Sequence, residues 1–311
     1  MLKQSEKLNR LVEKNNGIIR LAKVFSVGIS KPTFYDYIAK EEIIVFREGE
    51  EKMNEEILKE IMGELSEERP LFHSEADFQF ALALAIEKHY RDEADKKVEI
   101  RLERCIAIEK DNKGNPKSWY IDIWVDLGGT IHPIELKYKT RGEKKAIQAV
   151  AVEGKREKYR LKNQGANDVG RFDYLWDIHR IEQISKLAKS DKVKFGEEAG
   201  EEFGEGYAII LTNDHLYWEE PLSEPKTSCK AFRIHEGVET KIEMRWFDTD
   251  CKEESDEVAE KVAEKRGRKN NPKIQLNNKY IIRWQKYSKL DDDSNEKDGK
   301  TLKYTIATIK K

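Results

Sequence analysis

Residues 133–139 read PIELKYK. Side chains two apart on a β-strand share a face, so Glu135 and Lys137 project from one side while Ile134, Leu136 and Tyr138 project from the other. An acid and a base therefore sit together on the second face of a strand whose first face is apolar. Upstream, Gly128 and Gly129 signal a hairpin that joins TIHPIELKYK to SWYIDIWVDL, where Tyr120, Asp122 and Trp124 alternate with Ile121, Ile123 and Val125. VEIRLERCIAI supplies a third strand. Before it, SEADFQFALALAIEKHY reads as a buried helix opened by Ser74 and Asp77 in a capping-box pattern. After the strands come a basic helical stretch, a long amphipathic helix within LKNQGANDVGRFDYLWDIHRIEQISKLA, an acidic loop, and GYAIILTND as a buried strand. The fold class is α/β of the α+β kind, built on a mixed sheet. KAFRIHE, IEMRWF, KIQLNNKYIIRW and LKYTIATI are strand candidates of a C-terminal extension that carries no catalytic motif.

A chain of 311 residues with 38% apolar side chains can bury a sizeable core. No run approaches the roughly 18 apolar residues of a membrane helix. The start, MLKQSEKLNR, is charged where a signal peptide is apolar, so no membrane partner and a cytoplasmic location are expected. Cys105, Cys229 and Cys251 form no CxxC pair, which argues against a zinc site and a disulfide framework. Net charge is only -2, yet its distribution is uneven. Residues 1–40 hold eight Lys or Arg against three acids, 41–70 hold four against eleven, and 137–162 hold ten against three. Positive charge clustered directly after PIELKYK suits a phosphate backbone, although a charge run by itself also fits a solvated surface.

A hairpin can set Asp122 beside the face that carries Glu135 and Lys137. Carboxylates converging at a sheet edge repel unless a cation lies between them, and oxygen donors of this kind suit magnesium or manganese. Lys137 would then stand where an ammonium can orient a water and stabilise charge growing on a phosphate.

Asp122, twelve intervening residues, then Glu135, Leu136 and Lys137 resemble the PD-(D/E)XK nuclease superfamily. The order helix, three strands, helix, strand over residues 70–215 resembles its restriction-endonuclease-like core. That resemblance implies a metal-dependent nuclease with Mg2+ (or Mn2+) held by Asp122, Glu135 and the Leu136 carbonyl, and with Lys137 assisting the attacking water. Glu75 matches the additional acid that many members use, and Gln164 is carried over from the helix that follows the catalytic strand. The Gln164 to Tyr174 spacing is longer than the family's QxxxY, so Tyr174 is not carried over. Lys139, Arg141 and Arg171 are candidate phosphate contacts beside this core. The bland alternatives are a helix-dipole acid for Glu75 and a surface ion pair for Glu135 and Lys137. Asp126, Asn213 and Asp214 read as turn residues.

Segments at 5–15, 18–25 and 31–39 read as helices, followed by the apolar run IIVF, which is the order of a winged helix-turn-helix. GIIRLAKVFSVGISKPTFYDYIAKEEIIVFREG resembles the N-terminal winged-helix domains of antitoxin-type regulators from abortive-infection systems. In such a domain Lys31, Thr33, Tyr35 and Asp36 face DNA. The expected organisation is a winged helix over 1–49, an acidic connecting helix over 50–70 and the nuclease-like domain over 71–311. Double-stranded DNA is the expected substrate and genome defence the expected setting. Symmetric duplex cleavage would call for a homodimer. The alternative function is a DNA-bound regulator that uses a nuclease-like domain as a platform.

Overall fold

The computed structural model describes residues 19–20, 45–46, 52–91, 98–110, 116–142, 147–150, 156–189, 202–221, 227–247, 255–290 and 299–311. The chain divides into two compact units, Met1–Lys52 and Met53–Lys311. In the first unit β1 (Ile19–Arg20) pairs in parallel with β2 (Val45–Phe46). Ile19 and Arg20 fall in a segment expected to be helical. Adjacent β-branched Ile18 and Ile19 favour the extended backbone found at Ile19. The expected DNA-facing residues Lys31, Thr33, Tyr35 and Asp36 lie outside the described residues.

The second unit opens with α1 (Glu55–Glu68), capped by Asn54, whose side chain accepts a hydrogen bond from Ile57 N at 3.0 Å. Its stripe of Ile57, Leu58, Ile61, Met62 and Leu65 is buried, so this acidic helix belongs to the second unit's own core. α2 (Glu75–Arg91) follows and packs against it. Ser74 Oγ accepts from Asp77 N at 3.2 Å, while Asp77 turns back to His73 N at 2.9 Å and to Arg69 at 2.7 Å. These bonds fix the first turn of α2, and with it Glu75.

A seven-stranded mixed sheet forms the centre. Its order is β12 (Gln285–Lys289), β13 (Thr301–Lys310), β9 (Glu205–Thr212), β5 (Thr130–Lys139), β4 (Pro116–Leu127) and β3 (Val98–Lys110), with β8 (Glu202–Phe203) also pairing β5. Neighbours are antiparallel except where β5 meets β8 and β9. The hairpin between β4 and β5 turns on Gly128 and Gly129 at φ 62° and 96°, the left-handed conformation that a two-residue turn of this kind demands at both positions. The parallel step from β5 to β9 is made through α3 (Asn167–Lys189). Because α2 packs on one face of the sheet and α3 on the other, β5 is buried almost without interruption from Ile131 to Leu136. With four helices among the described residues, this is an α+β arrangement on a mixed sheet.

Three local expectations change. The basic stretch after β5 contains a hairpin, β6 (Ile147–Val150) with β7 (Arg156–Tyr159), where a helix was expected. The segment Ile147–Val150 carries a β-branched residue at each end, which favours the extended backbone. KAFRIHE forms no strand: Phe232 and Ile234 are buried against α3, but backbone bonds such as Lys230 N to Thr227 O and Phe232 N to Cys229 O close turns instead. IEMRWF and KIQLNNKYIIRW contribute only the short pair β10 (Glu243–Arg245) and β11 (Lys273–Gln275). The loop after β11 is tied to α3 by buried Glu182, which accepts from Asn277 N, Asn278 N and the Tyr280 hydroxyl at 2.7–3.0 Å. α4 (Asp256–Lys265) buries Ala259, Val262 and Ala263 in the same core. No helix among the described residues is long and apolar enough to cross a membrane.

α3 approaches β9 so closely that a Cβ on Gly206 would stand 2.3 Å from Ile181 Cγ2. Gly206→Val is expected to destabilise the second unit by about 1–3 kcal/mol through overpacking, measured as a lower urea midpoint at unchanged slope.

Candidate active site

Asp122 lies where the regular ladder fails on both sides of β4. Toward β3, Leu102 pairs with Ile123 and Arg104 with Ile121, with no pair at Glu103 and Asp122, and Glu103 adopts φ 51°, an uncommon value for a residue other than glycine. Toward β5, pairing runs from Leu127–Thr130 to Ile123–Ile134 and stops. The strand turns over at this point. Ile121 joins the core under α3 whereas Ile123 joins the core under α2, so the simple alternation expected for YIDIWVDL is broken at Asp122. Gln79 on α2 holds the kink, its amide Nε2 donating to Asp122 O at 2.6 Å and to Glu103 Oε1 at 2.9 Å.

Once β4 leaves, the β5 amides of Leu136 and Tyr138 are taken by carboxylates. Leu136 N donates to Asp122 Oδ2 at 2.6 Å, and Tyr138 N donates to Glu75 Oε2 at 2.7 Å. An unpaired buried amide costs roughly 1–3 kcal/mol, so both acids have a structural reason to stay where they are. Glu135 and Lys137 share register with Ala208 and Ile210 of β9, whose side chains belong to the α3 core, so the pair faces α3. There Lys137 Nζ lies 2.7 Å from Asp177 Oδ2 and donates to Leu136 O at 2.8 Å. Arg180, one turn further along α3, meets Glu135 Oε2 at 3.0 Å, donates to Tyr120 O and stacks 5.5 Å from the Trp119 ring centroid. Glu135 is completely buried, and its Oε1 has no hydrogen-bond partner among the described residues. The bland reading of Glu135 and Lys137 as a solvent-exposed ion pair is thus replaced: Glu135 is buried and Lys137 half-buried, and each pairs with α3.

Glu75, Asp122, Glu135 and Lys137 are accordingly brought together. Gln164 is placed differently: exposed, it braces the end of β5, its side-chain Oε1 accepting from Thr140 N at 2.8 Å while its backbone N donates to Thr140 O at 2.9 Å. Arg171 is corrected from a phosphate contact to a core residue. It is 8% exposed, donates to Leu216 O at 2.6 Å and packs over Tyr217, so it cannot reach a ligand in solvent. Lys139 is half-buried on β5, and Arg141 stands beside His215, its backbone amide bound to Asn213. Asp126 and Asp214 serve their turns, accepting from Gly129 N and Leu216 N.

Sequence reasoning missed Asp177, Arg180, Gln79 and Glu103. For Asp177 a signal existed: it falls in the stripe Tyr174, Asp177, Ile178, Ile181 that faces the sheet, and a charge in an apolar helical stripe needs a partner.

Burial dominates the electrostatics. It raises the Asp122 carboxyl against the pull of Lys137 and the Leu136 amide. Burial and then Asp177 raise Glu135 well above the ordinary carboxylate range, with Arg180 opposing. Asp177, despite its ion pair, is pushed up to about 6 by complete burial. Burial opposes the Lys137 ammonium too, yet Asp177, Asp122, Glu75 and Glu135 together raise its pKa. Four carboxylates thus surround two cations, leaving an excess of negative charge.

That donor set fits a hard divalent cation. Asp122, Glu135 and Glu75 each commit one oxygen to a protein donor, and the second oxygens remain to bind. Among the described residues no three acids already close on a common metal position, and Leu136 O is engaged by Lys137. Occupation would therefore require side chains to move.

A carboxyl raised by burial contributes stability that is present below its unfolded pKa and lost as pH rises through its folded one. Between pH 4 and 6.5, in EDTA, the protein is expected to lose on the order of 2–3 kcal/mol relative to Asp177→Asn, read from paired urea titrations.

Comparison of the chain with protein-family models, with curated proteins and with solved structures finds no match.

Proposed function

We propose that the chain is a metal-dependent nuclease with a restriction-endonuclease-like core, hydrolysing phosphodiester bonds in DNA. One observation carries the reading. Three separate elements, α2, β4 and β5, deliver Glu75, Asp122, Glu135 and Lys137 to the place where β4 parts from β5, with more negative charge than the protein itself neutralises. Surplus carboxylate charge in a buried setting is costly for stability and useful for holding a cation.

Asp122 and Glu135 would hold magnesium or manganese, with Glu75 binding directly or through water. The bound ion would polarise the phosphate and make a water more acidic. Lys137 remains protonated in this acidic surrounding, so it acts as an electrostatic group: it orients the attacking water and stabilises charge on the phosphate oxygens, and it does not remove the proton. The substrate's polyanionic character is supported by exposed Lys158, Arg160 and Lys162, whose segment runs beside the end of β5 through the bond from Thr140 Oγ1 to Lys162 O at 2.6 Å. A winged helix within residues 1–49 would recruit duplex DNA, and genome defence is the setting that this combination suggests.

The second reading is a DNA-bound platform without catalysis. It draws on one observation, the engagement of Lys137 by Asp177, which resembles a structural ion pair.

Asp122→Asn keeps an oxygen for Leu136 N while removing the charge, so it separates chemistry from folding. Incubated with linear and circular plasmid in magnesium or manganese, Asp122→Asn and Lys137→Ala are expected to lose at least about 100-fold in cleavage rate, and EDTA to abolish it in the wild type. Wild-type cleavage retained in either folded variant overturns the nuclease reading. Manganese is further expected to raise the thermal midpoint of the wild type but not that of Asp122→Asn, whereas a platform shows no shift in either.

A further inference from the structure

Arg180 reaches the candidate site from its rim. It is 15% exposed at the side chain where Glu135 is wholly buried, and it is anchored outside the site by Tyr120 O and the Trp119 ring. Its guanidinium covers one oxygen of Glu135, the carboxylate that, on the nuclease reading above, must bind the metal. A second carboxylate waits on the same helix: Asp177 Oδ1 stands 3.8 Å from Arg180 Nη1. The arginine therefore has two carboxylates within reach, and only one of them belongs to the metal set.

We propose that Arg180 is a resident cation that competes with the divalent metal ion for Glu135, so that this arginine sets the metal concentration at which the site loads. The inference rests on the metal-dependent reading and deepens it. Without metal, Glu135 pairs with Arg180 and Asp177 with Lys137. An incoming dication repels a guanidinium bound to the same carboxylate, and the i, i+3 spacing lets Arg180 exchange Glu135 for Asp177 with a modest side-chain movement. The buried Glu135 Oε1, which no protein donor satisfies, is the oxygen left for the ion. Asp177 is a positioning residue in this scheme: it holds Lys137 and receives Arg180.

The test is manganese binding to the full chain without nucleic acid at pH 8, followed by the electron paramagnetic resonance signal of free Mn2+. Wild type, Arg180→Met, Arg180→Lys and Asp122→Asn are compared, with folding checked by thermal unfolding in EDTA. Arg180→Met is expected to bind manganese about tenfold more tightly than wild type, because removing the competing charge removes an opposing coupling. Arg180→Lys retains a charge but lacks the planar fork that spans Glu135 and Tyr120 O, and it is expected to tighten binding by about threefold. Asp122→Asn is expected to lose the binding. Should Arg180→Met fail to fold, Arg180→Lys decides alone. Equal or weaker affinity in the folded arginine variants, with binding still dependent on Asp122, overturns the competition and leaves the metal site standing. Absence of Asp122-dependent binding in all proteins overturns the metal reading and the competition with it.

Discussion

Two backbone amides on β5, those of Leu136 and Tyr138, govern the candidate site. They face the gap on the N-terminal side of Ile123, where β4 no longer pairs with β5, and the sheet offers them no carbonyl there. Asp122 and Glu75 supply the missing acceptors, one from the departing strand and one from the first turn of α2. Each acid is thereby fixed by the need to satisfy buried peptide groups. The kink at Glu103 and Asp122, with Gln79 bridging both residues, and the capping bonds around Asp77 are the supports that make this substitution geometrically possible.

On the other side of β5 the governing constraint is charge. Glu135 and Lys137 point toward α3 because Ile134, Leu136 and Tyr138 must point toward α2, and the sheet is covered on both faces. A buried carboxylate and a half-buried ammonium each require a partner, and α3 provides Arg180 and Asp177 one turn apart. The partners do not restore full neutrality, since Asp122 and Glu75 add two further acids. Stability alone would favour fewer charges at this place, and four carboxylates around one lysine and one arginine leave negative charge in local excess.

The C-terminal strands, which carried no motif, now have a structural explanation. β13 pairs along the whole of β9, so the strand next to the catalytic candidates is internal to the sheet. β12 then reaches back to the end of α1, with the Tyr287 hydroxyl on Arg69 O and Ser288 Oγ on Pro70 O. Glu182 ties the β11 loop to α3, the helix that also presents Asp177 and Arg180. The extension thus steadies both the sheet edge and the helix that meets the site.

The sequence by itself determined the elements whose signal is local. Alternating apolar residues and the Gly128–Gly129 pair marked β4, β5 and their hairpin, the Ser74 to Asp77 pattern marked the start of α2, and the acid and base of PIELKYK were readable as one face. Short mixed segments such as those of β6, β7 and KAFRIHE carry no decisive period, and contacts elsewhere in the fold make the first two a hairpin and the third a series of turns. Only the tertiary structure decided that β4 kinks at Asp122, that Gln164 braces a strand end, that Arg171 is buried, and that Asp177 and Arg180 close on Lys137 and Glu135. The physical reason is that these outcomes depend on which backbone groups lose their neighbours and which charges lose their water. Both are set by contacts between segments distant in the chain, as between Glu75 and Tyr138 or Glu135 and Arg180, and no local pattern encodes them.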